Sequence, residues 1–448
     1  MRCNSLKMKN IRTLFRNWAS LACLLAAFTG ASLAQASYAA YRTGSSTSIA
    51  ASPEGGVCLM GGASEQDEAM KWFLRRSGGG DILVLRASGS DGYNAYLYSE
   101  LGVAVNSVET IVCHSRAAAF DPYVLQRVQE AEAVWLAGGD QWNYVSRWRG
   151  TPLDSLLRSA VSGRGLAVGG TSAGMAVLGG LYFTAEQGTV SSAQALGDPF
   201  ASRVALDSAP FLGAPFLDQV LTDTHYDNPD RRGRHLAFLA RMRSDWGILP
   251  YGIACDEYTA ICIDSAGLAR VYGNHPSYDD NAYFLQLNCE VADNRPELCA
   301  PGQPLTWNQG QAALRVYAVK GTASGSRSFD LRDWRSGNGG NWEYWYAEAG
   351  SLMTRPAPAP ACALLGAEAL APLLFSLHPN PAAGQVWLRA GDQPVQGAEL
   401  LDLLGRRLAS FVPGPGGWQL SAEPLPPGLY LVRAWGGGRE GLLRFQRF

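Results

Sequence analysis

From Gly55 to about Cys262, short aliphatic or β-branched runs alternate with longer amphipathic stretches. Val57-Cys58-Leu59-Met60 closes on Gly61-Gly62, Asp81 to Leu85 reads as a buried strand, Glu132 to Leu136 closes on Gly138-Gly139, and Leu166-Ala167-Val168 closes on Gly169-Gly170. Strands that stop at glycines and lead into helices predict a parallel α/β sheet, in which ligands bind beyond the carboxyl ends of the strands. Those glycines therefore mark where chemistry is expected.

Between Leu268 and Met353 the chain is rich in aromatics, Gly and Asn, with no helical period, and reads as an antiparallel extension of the same domain, 55–354. A stretch over 355–372 begins Arg355-Pro356-Ala357-Pro358-Ala359-Pro360, the composition of a stiff linker. Residues 373–448 carry short alternating runs between turns such as Pro426-Pro427-Gly428, which predicts a small C-terminal β-sandwich.

The first 36 residues have a different pattern. Lys7, Lys9, Arg12 and Arg16 precede an apolar run from Trp18 to Phe28, and small residues follow near Ala34 and Ala36, as in a cleavable export signal. The apolar run is shorter than the roughly 20 residues a bilayer span needs. The expected location is thus exported, at the cell surface or outside it. Apolar residues make up 47% and charged residues 17% of the 448, as in folded domains. A net charge of −2 provides no basic field for nucleic acid or an anionic membrane. Of nine cysteines, Cys3 and Cys23 fall in the signal. An oxidising compartment permits disulfides, with Cys289 and Cys299 as the candidate pair, while Cys58, Cys113, Cys255 and Cys262 read as small buried residues. Cysteine and histidine show no zinc spacing, and no metal or cofactor is expected.

A serine hydroxyl becomes a nucleophile when it is exposed, near a base, and beside donors that can hold an oxyanion. Gly170-Thr171-Ser172-Ala173-Gly174 offers this arrangement: flanking glycines let a strand turn sharply into a helix, with Ser172 at the apex and the amide of Ala173 beside it. Of the five histidines, His378 lies in the C-terminal segment, leaving His114, His225, His235 and His275. His225 has the most polar chemistry around it. The carboxylates that could orient it are Asp256 and Glu257, after the strand-like Gly252 to Cys255, with Glu186 and Asp223 as rivals.

Four segments, in order, resemble the cyanophycinases and related aspartyl dipeptidases. They are Gly138-Gly139-Asp140-Gln141; Gly170 to Gly174; Asp223-Thr224-His225-Tyr226 with Arg231, Gly233 and Arg234; and Gly252 to Glu257. The resemblance implies a flavodoxin-like fold related to class I glutamine amidotransferases and a catalytic triad of Ser172, His225 and Glu257. It also implies oxyanion donors at Ala173 and Gly139, and a substrate-binding set of Gln141, Asp223, Arg231 and Arg234. Thr224 stands where the family carries glutamine and Pro229 where it carries arginine, so the substrate can differ from the family's β-Asp-Arg peptides.

The C-terminal segment resembles the sorting domain of the type IX (Por) secretion system, through Leu377 to Ala382, Glu399 to Arg406 and Leu425 to Val432. That resemblance implies an outer-membrane secretion machinery as partner. A peptide is the expected substrate, no nucleic acid is expected, and a homodimer is compatible with the reading. The alternatives are an esterase or amidase using the same serine, or a catalytically silent binding protein presenting Trp334, Trp342, Trp345 and Tyr346. A metal role for Asp223, His225, Asp227 and Asp230 matches no standard calcium loop.

Overall fold

The structure, a computed structural model, describes residues 36–361 except 210, and 375–447 except 379, 381–383, 391–394, 402–406, 415–416 and 437–438. The export segment, apart from residue 36, lies outside the described residues. The chain forms two compact units divided between Pro360 and Ala361.

The first unit opens with β1 (Tyr38–Gly44), β2 (Val57–Met60), α1 (Asp67–Arg75), β3 (Asp81–Arg86), β4 (Ser107–Cys113) and α2 (Pro122–Glu130). There follow β5 (Ala133–Leu136), α3 (Gln141–Trp148), α4 (Pro152–Gly163), β6 (Ala167–Thr171) and α5 (Ala173–Ala176). An excursion through β7 (Tyr182–Phe183), α6 (Ser192–Gly197) and β8 (Leu206–Asp207) leads to β9 (Val220–Asp223), α7 (Arg232–Asp245), β10 (Tyr251–Cys255) and β11 (Ala260–Ile263). The unit ends with β12 (Leu268–Tyr272), β13 (Asn281–Leu287), β14 (Leu314–Lys320), β15 (Arg327–Asp330), β16 (Gly337–Asn338), β17 (Gly340–Glu348) and β18 (Ser351–Pro356).

Helix starts follow local chemistry. Asp121 and Thr151 cap α2 and α4, each just before a proline whose missing N–H costs nothing in the first turn. Ten strands make one sheet in the order β1-β4-β3-β5-β6-β2-β11-β12-β15-β16, with β4 through β2 parallel and both flanks antiparallel. Alternate residues of the central strands enter different cores: Leu59, Leu83, Leu85, Val134 and Leu136 on one face, Met60, Ile82, Val84, Ala133 and Trp135 on the other. The first face meets α2, α3 and α4, the second meets α1, so this is a mixed α/β layer arrangement with a parallel centre.

A second sheet runs β18-β17-β14-β13-β10-β9, with only β9 and β10 parallel. Its Val220, Ile253, Phe284 and Val319 join the first core, and its other face is covered by α7. The aromatics of 330–350 contribute to these cores: Trp345 is fully buried, Trp334 and Tyr346 nearly so, and Trp342 is half-buried against the first core.

Two boundaries differ from expectation. The unit starts earlier than 55, because β1 pairs with β4 along seven residues. It also runs past 354: Arg355 pairs with Tyr344, and Arg315 and Arg335 donate to the carbonyls of Pro358 and Pro360, so the first part of the expected linker is bound to the unit. The pairing of Cys289 with Cys299 is also corrected. Cys289 is disulfide-bonded, whereas Cys299 is a free thiol directed into the core beneath α7, where burial raises its pKa and Ser244 hydrogen-bonds to it.

The second unit contains β19 (Phe375–His378), β20 (Gln385–Ala390), β21 (Gly397–Leu401), β22 (Arg407–Ser410), β23 (Val412–Gly414), β24 (Gly417–Ser421), β25 (Gly428–Gly436) and β26 (Arg439–Arg447). They form two four-stranded antiparallel sheets, β19-β20-β24-β23 and β22-β21-β25-β26, around one buried cluster that includes Val386, Leu388, Leu400, Val432 and Phe445. Two of the three sorting-motif segments are neighbours here, with Glu399 opposite Arg433 and Leu400 opposite Val432. Pro379, Pro381, Ala382 and the motif residues 402–406 lie outside the described residues.

Candidate active site

Beyond the carboxyl ends of β6, β9 and β10, three loops meet where the two sheets adjoin. Ser172 follows β6 with φ 51° and ψ −117°, a conformation costing about 1–3 kcal/mol for a residue with a side chain. Its surroundings enforce it: a Cβ on Gly170 would lie 2.6 Å from the carbonyl carbon of Gly174, and a Cβ on Gly174 would lie 2.0 Å from the Leu136 oxygen. Only glycines allow α5 to fold back so closely over β5 and β6. Ser172 Oγ is thereby raised into a cleft of about 460 Å³.

His225 follows β9 and is anchored by its amide, which donates to the Gly61 carbonyl at 2.8 Å. Its Nε2 lies 2.8 Å from Ser172 Oγ, and its Nδ1 lies 2.6 Å from Glu257 Oε1. A carboxylate only accepts, so Nδ1 carries the proton and Nε2 is left to accept from the serine. Glu257 comes from the turn joining β10 to β11, the link between the two sheets. Gly62 packs against the imidazole, where a Cβ would stand 2.4 Å from Nε2.

Asp256, Asp223 and His235 are engaged elsewhere. Asp256 accepts from the amide and the side chain of Asn281 at 2.9 and 2.8 Å. Burial, opposed by those two bonds and reinforced by Asp227, pushes its pKa up to about 7. His235 is fully buried in α7, where desolvation drops its pKa to about 4, and it faces the Tyr226 hydroxyl at 3.1 Å. Glu186 lines the cleft. Asp223, His225, Asp227 and Asp230 do not converge on one point: Asp223 binds Arg234, Asp227 binds the Glu257 amide, and Asp230 binds Arg232.

The expected substrate-binding residues divide into two kinds. Arg234 and Asp223 form a buried two-pronged ion pair, and Arg234 also donates to Thr189 Oγ1 at 3.0 Å and the Val190 carbonyl at 3.2 Å. Burial alone would raise the Asp223 pKa, but Arg234 outweighs it and holds the carboxyl below its usual range. This pair ties the wall at 189–190 to the end of β9. Arg231 also borders the cleft, donating to the Thr224 carbonyl at 3.0 Å, and among the described residues it has no carboxylate within ion-pair distance. Burial, then the charge of Arg234, lowers its pKa to about 10. Gln141 donates Nε2 to the Phe183 carbonyl at 2.5 Å and lines the cleft with Gly139 and Ala173.

Residues 90–266 match the family model of peptidase family S51. The S51-like segment holds Ser172, His225, Glu257 and every cleft residue named above. A cyanophycinase of Synechococcus elongatus is 30% identical over 230 residues, spanning 49% of this chain and 66% of that protein. One from Geminocystis herdmanii is 28% identical over 242 residues, spanning 49% and 83%. The crystal structure of a peptidase from an acI-B1 Actinobacterium aligns over 62% of this chain and 98% of that one, at 15% identity and a TM-score of 0.40. This chain therefore spans slightly less than two thirds of the length of the first of these relatives. The sequence matches show likeness to peptidase family S51 and to cyanophycinases.

Sequence reasoning did not single out Gly61 and Gly62 as supports of His225, nor Asp227 as a partner of Glu257. The signal for the first was present, a strand closing on two glycines. For the second it was not, since thirty residues of chain separate the two groups.

Proposed function

We propose that this protein is an exported serine peptidase that cleaves amide bonds of small, Asp-containing or cyanophycin-like peptides through an acyl-enzyme. The single observation that carries the reading is the Ser172–His225–Glu257 relay, with contacts of 2.8 and 2.6 Å. Ser172 Oγ attacks the carbonyl carbon while His225 Nε2 takes its proton. The tetrahedral oxyanion is held by the amides of Ala173 and Gly139, each worth about 3 kcal/mol in comparable sites. Collapse breaks the C–N bond as His225 returns the proton to the leaving amine, and water then releases the acyl group by the same steps in reverse. Glu257 holds the imidazole and stabilises its charged form.

Arg231 supplies the substrate preference in this reading. Its guanidinium at the cleft wall suits a carboxylate, which a planar fork of donors grips by two bonds. Arg234 is already neutralised by Asp223 and shapes the wall instead. The flavodoxin-like topology and the sorting role of the second unit, with a secretion machinery as its partner, complete the proposal.

Fluorophosphonate labelling of the purified protein, with peptide mapping, tests it. The expected adduct is on Ser172 and is absent from Ser172→Ala and His225→Ala. An unlabelled, folded protein that also leaves β-Asp-Arg and Asp-X peptides intact would refute it.

A further inference from the structure

Glu257 stands at the tip of the turn between β10 and β11. The Tyr258 amide donates to the Gly62 carbonyl at 3.1 Å, and Thr259 Oγ1 donates to the Glu257 carbonyl at 3.2 Å. The ends of the turn are pinned by the Thr259 amide on the Asp256 carbonyl at 3.3 Å, by the Gly61 amide on the Thr259 carbonyl at 2.9 Å and by Asn281 on Asp256, whereas Glu257 itself is met by one short segment of the facing loop. His225 Nδ1 meets Glu257 Oε1 at 2.6 Å, Asp227 Oδ1 accepts from the Glu257 amide at 2.9 Å, and Asn228 Nδ2 reaches Glu257 Oε2 at 3.5 Å. Backbone and both carboxylate oxygens of Glu257 are thus addressed by residues 225, 227 and 228. Of these, the Asp227 bond is charge-assisted and directed at the main chain, so it governs where the Glu257 side chain begins.

We propose that Asp227 is a positioning residue. By accepting the Glu257 amide, its carboxylate locks the loop after β9 to the turn after β10, and so keeps the Glu257 carboxylate in line with His225 Nδ1. Without it the Glu257 peptide loses its partner outside the turn and can rotate, the imidazole loses the acceptor that fixes its tautomer, and Nε2 is no longer held ready for the serine proton. The inference rests on the reading of Ser172 as a nucleophile activated by His225. It goes beyond that reading by assigning a fourth residue that touches neither substrate nor reacting atom.

The test uses the full chain and two measurements. The first is the downfield proton resonance of His225 Nδ1, assigned by its disappearance in His225→Ala. The second is the rate of fluorophosphonate labelling at Ser172. Asp227→Ala is expected to lose or broaden the resonance and to slow labelling by about tenfold or more, with an unchanged melting temperature. Asp227→Asn keeps an acceptor oxygen and is expected to restore both to within about threefold of wild type. A wild-type resonance and rate in Asp227→Ala would overturn the proposal. If Asp227→Ala does not fold, loss of both signals in a folded Asp227→Asn overturns it equally, since an acceptor is still present there. A resonance lost in Asp227→Ala and kept in Asp227→Asn, in a protein that never labels, would uphold the positioning role while removing the hydrolase reading.

Discussion

Glu257 Oε1 sits 2.6 Å from His225 Nδ1, and the two groups follow β10 and β9, neighbouring parallel strands of the second sheet. Replacing the acceptor by an amide keeps the shape but offers an N–H to the same nitrogen. Glu257→Gln is expected to lower kcat by roughly 10²–10⁴-fold with little change in KM, because the wrong tautomer is favoured and the imidazolium loses its counter-charge. Steady-state kinetics with the best peptide found by screening measures this.

Arg231 and Arg234 lie three residues apart and differ in what they face. Arg231→Met is expected to raise KM for acidic peptides by roughly 10–100-fold with kcat nearly kept, as hydrogen bonds to a charged group contribute about 1.5–3 kcal/mol. A pKa of about 10 leaves Arg231 charged below that pH, so KM for an acidic peptide should be flat from neutrality to pH 9 and rise above 10. Comparing acidic and amidated versions of one peptide isolates the effect.

The Asp223–Arg234 pair carries stability instead. Arg234→Met strands a buried carboxylate and is expected to cost about 3–5 kcal/mol in denaturant unfolding. The Asp223 pKa is depressed in the folded state, so its contribution is complete above the unfolded value near 4 and is lost as pH falls through the folded one. Wild type should therefore lose stability below pH 4, and an Asp223→Asn, Arg234→Met double variant should lose less over that range.

Asp256 has the opposite sign. Its folded pKa of about 7 stands above the ordinary 3.8, so its contribution is complete below pH 4 and disappears as pH rises through 7. At about 1.4 kcal/mol per pKa unit the span is on the order of 4 kcal/mol. Melting curves should show wild type losing stability between about pH 4 and 7, and Asp256→Asn, which remains neutral, losing much less.

The parallel strands around the candidate site were legible because their signal is local: β2, β3, β5 and β6 are short apolar runs that each meet a glycine or a turn. Ser172 was legible for the same reason. β4 was not, since its Glu109 breaks the apolar pattern and is buried where Arg42 of the neighbouring β1 reaches it at 3.0 Å and the Tyr123 hydroxyl donates to its other oxygen. The division of labour between Arg231 and Arg234 was hidden in the sequence, because it depends on which guanidinium the end of β9 meets. The direction of the Cys299 thiol was hidden likewise, as spacing along a loop does not say which side chain turns inward.

The S51-like segment begins at residue 90, after β2 and β3. Yet β2 runs between β6, which delivers Ser172, and β11, which leaves the Glu257 turn, and its trailing glycines receive the amides of His225 and Tyr258. A chain cut at residue 90 would keep Ser172, His225 and Glu257 and lose the slat between the strands that carry two of them. Homology marks out the chemistry here, while the unit of cooperative folding is larger and starts upstream. Truncation, domain swapping or grafting of this site has to carry the strand at 57–60 along with it.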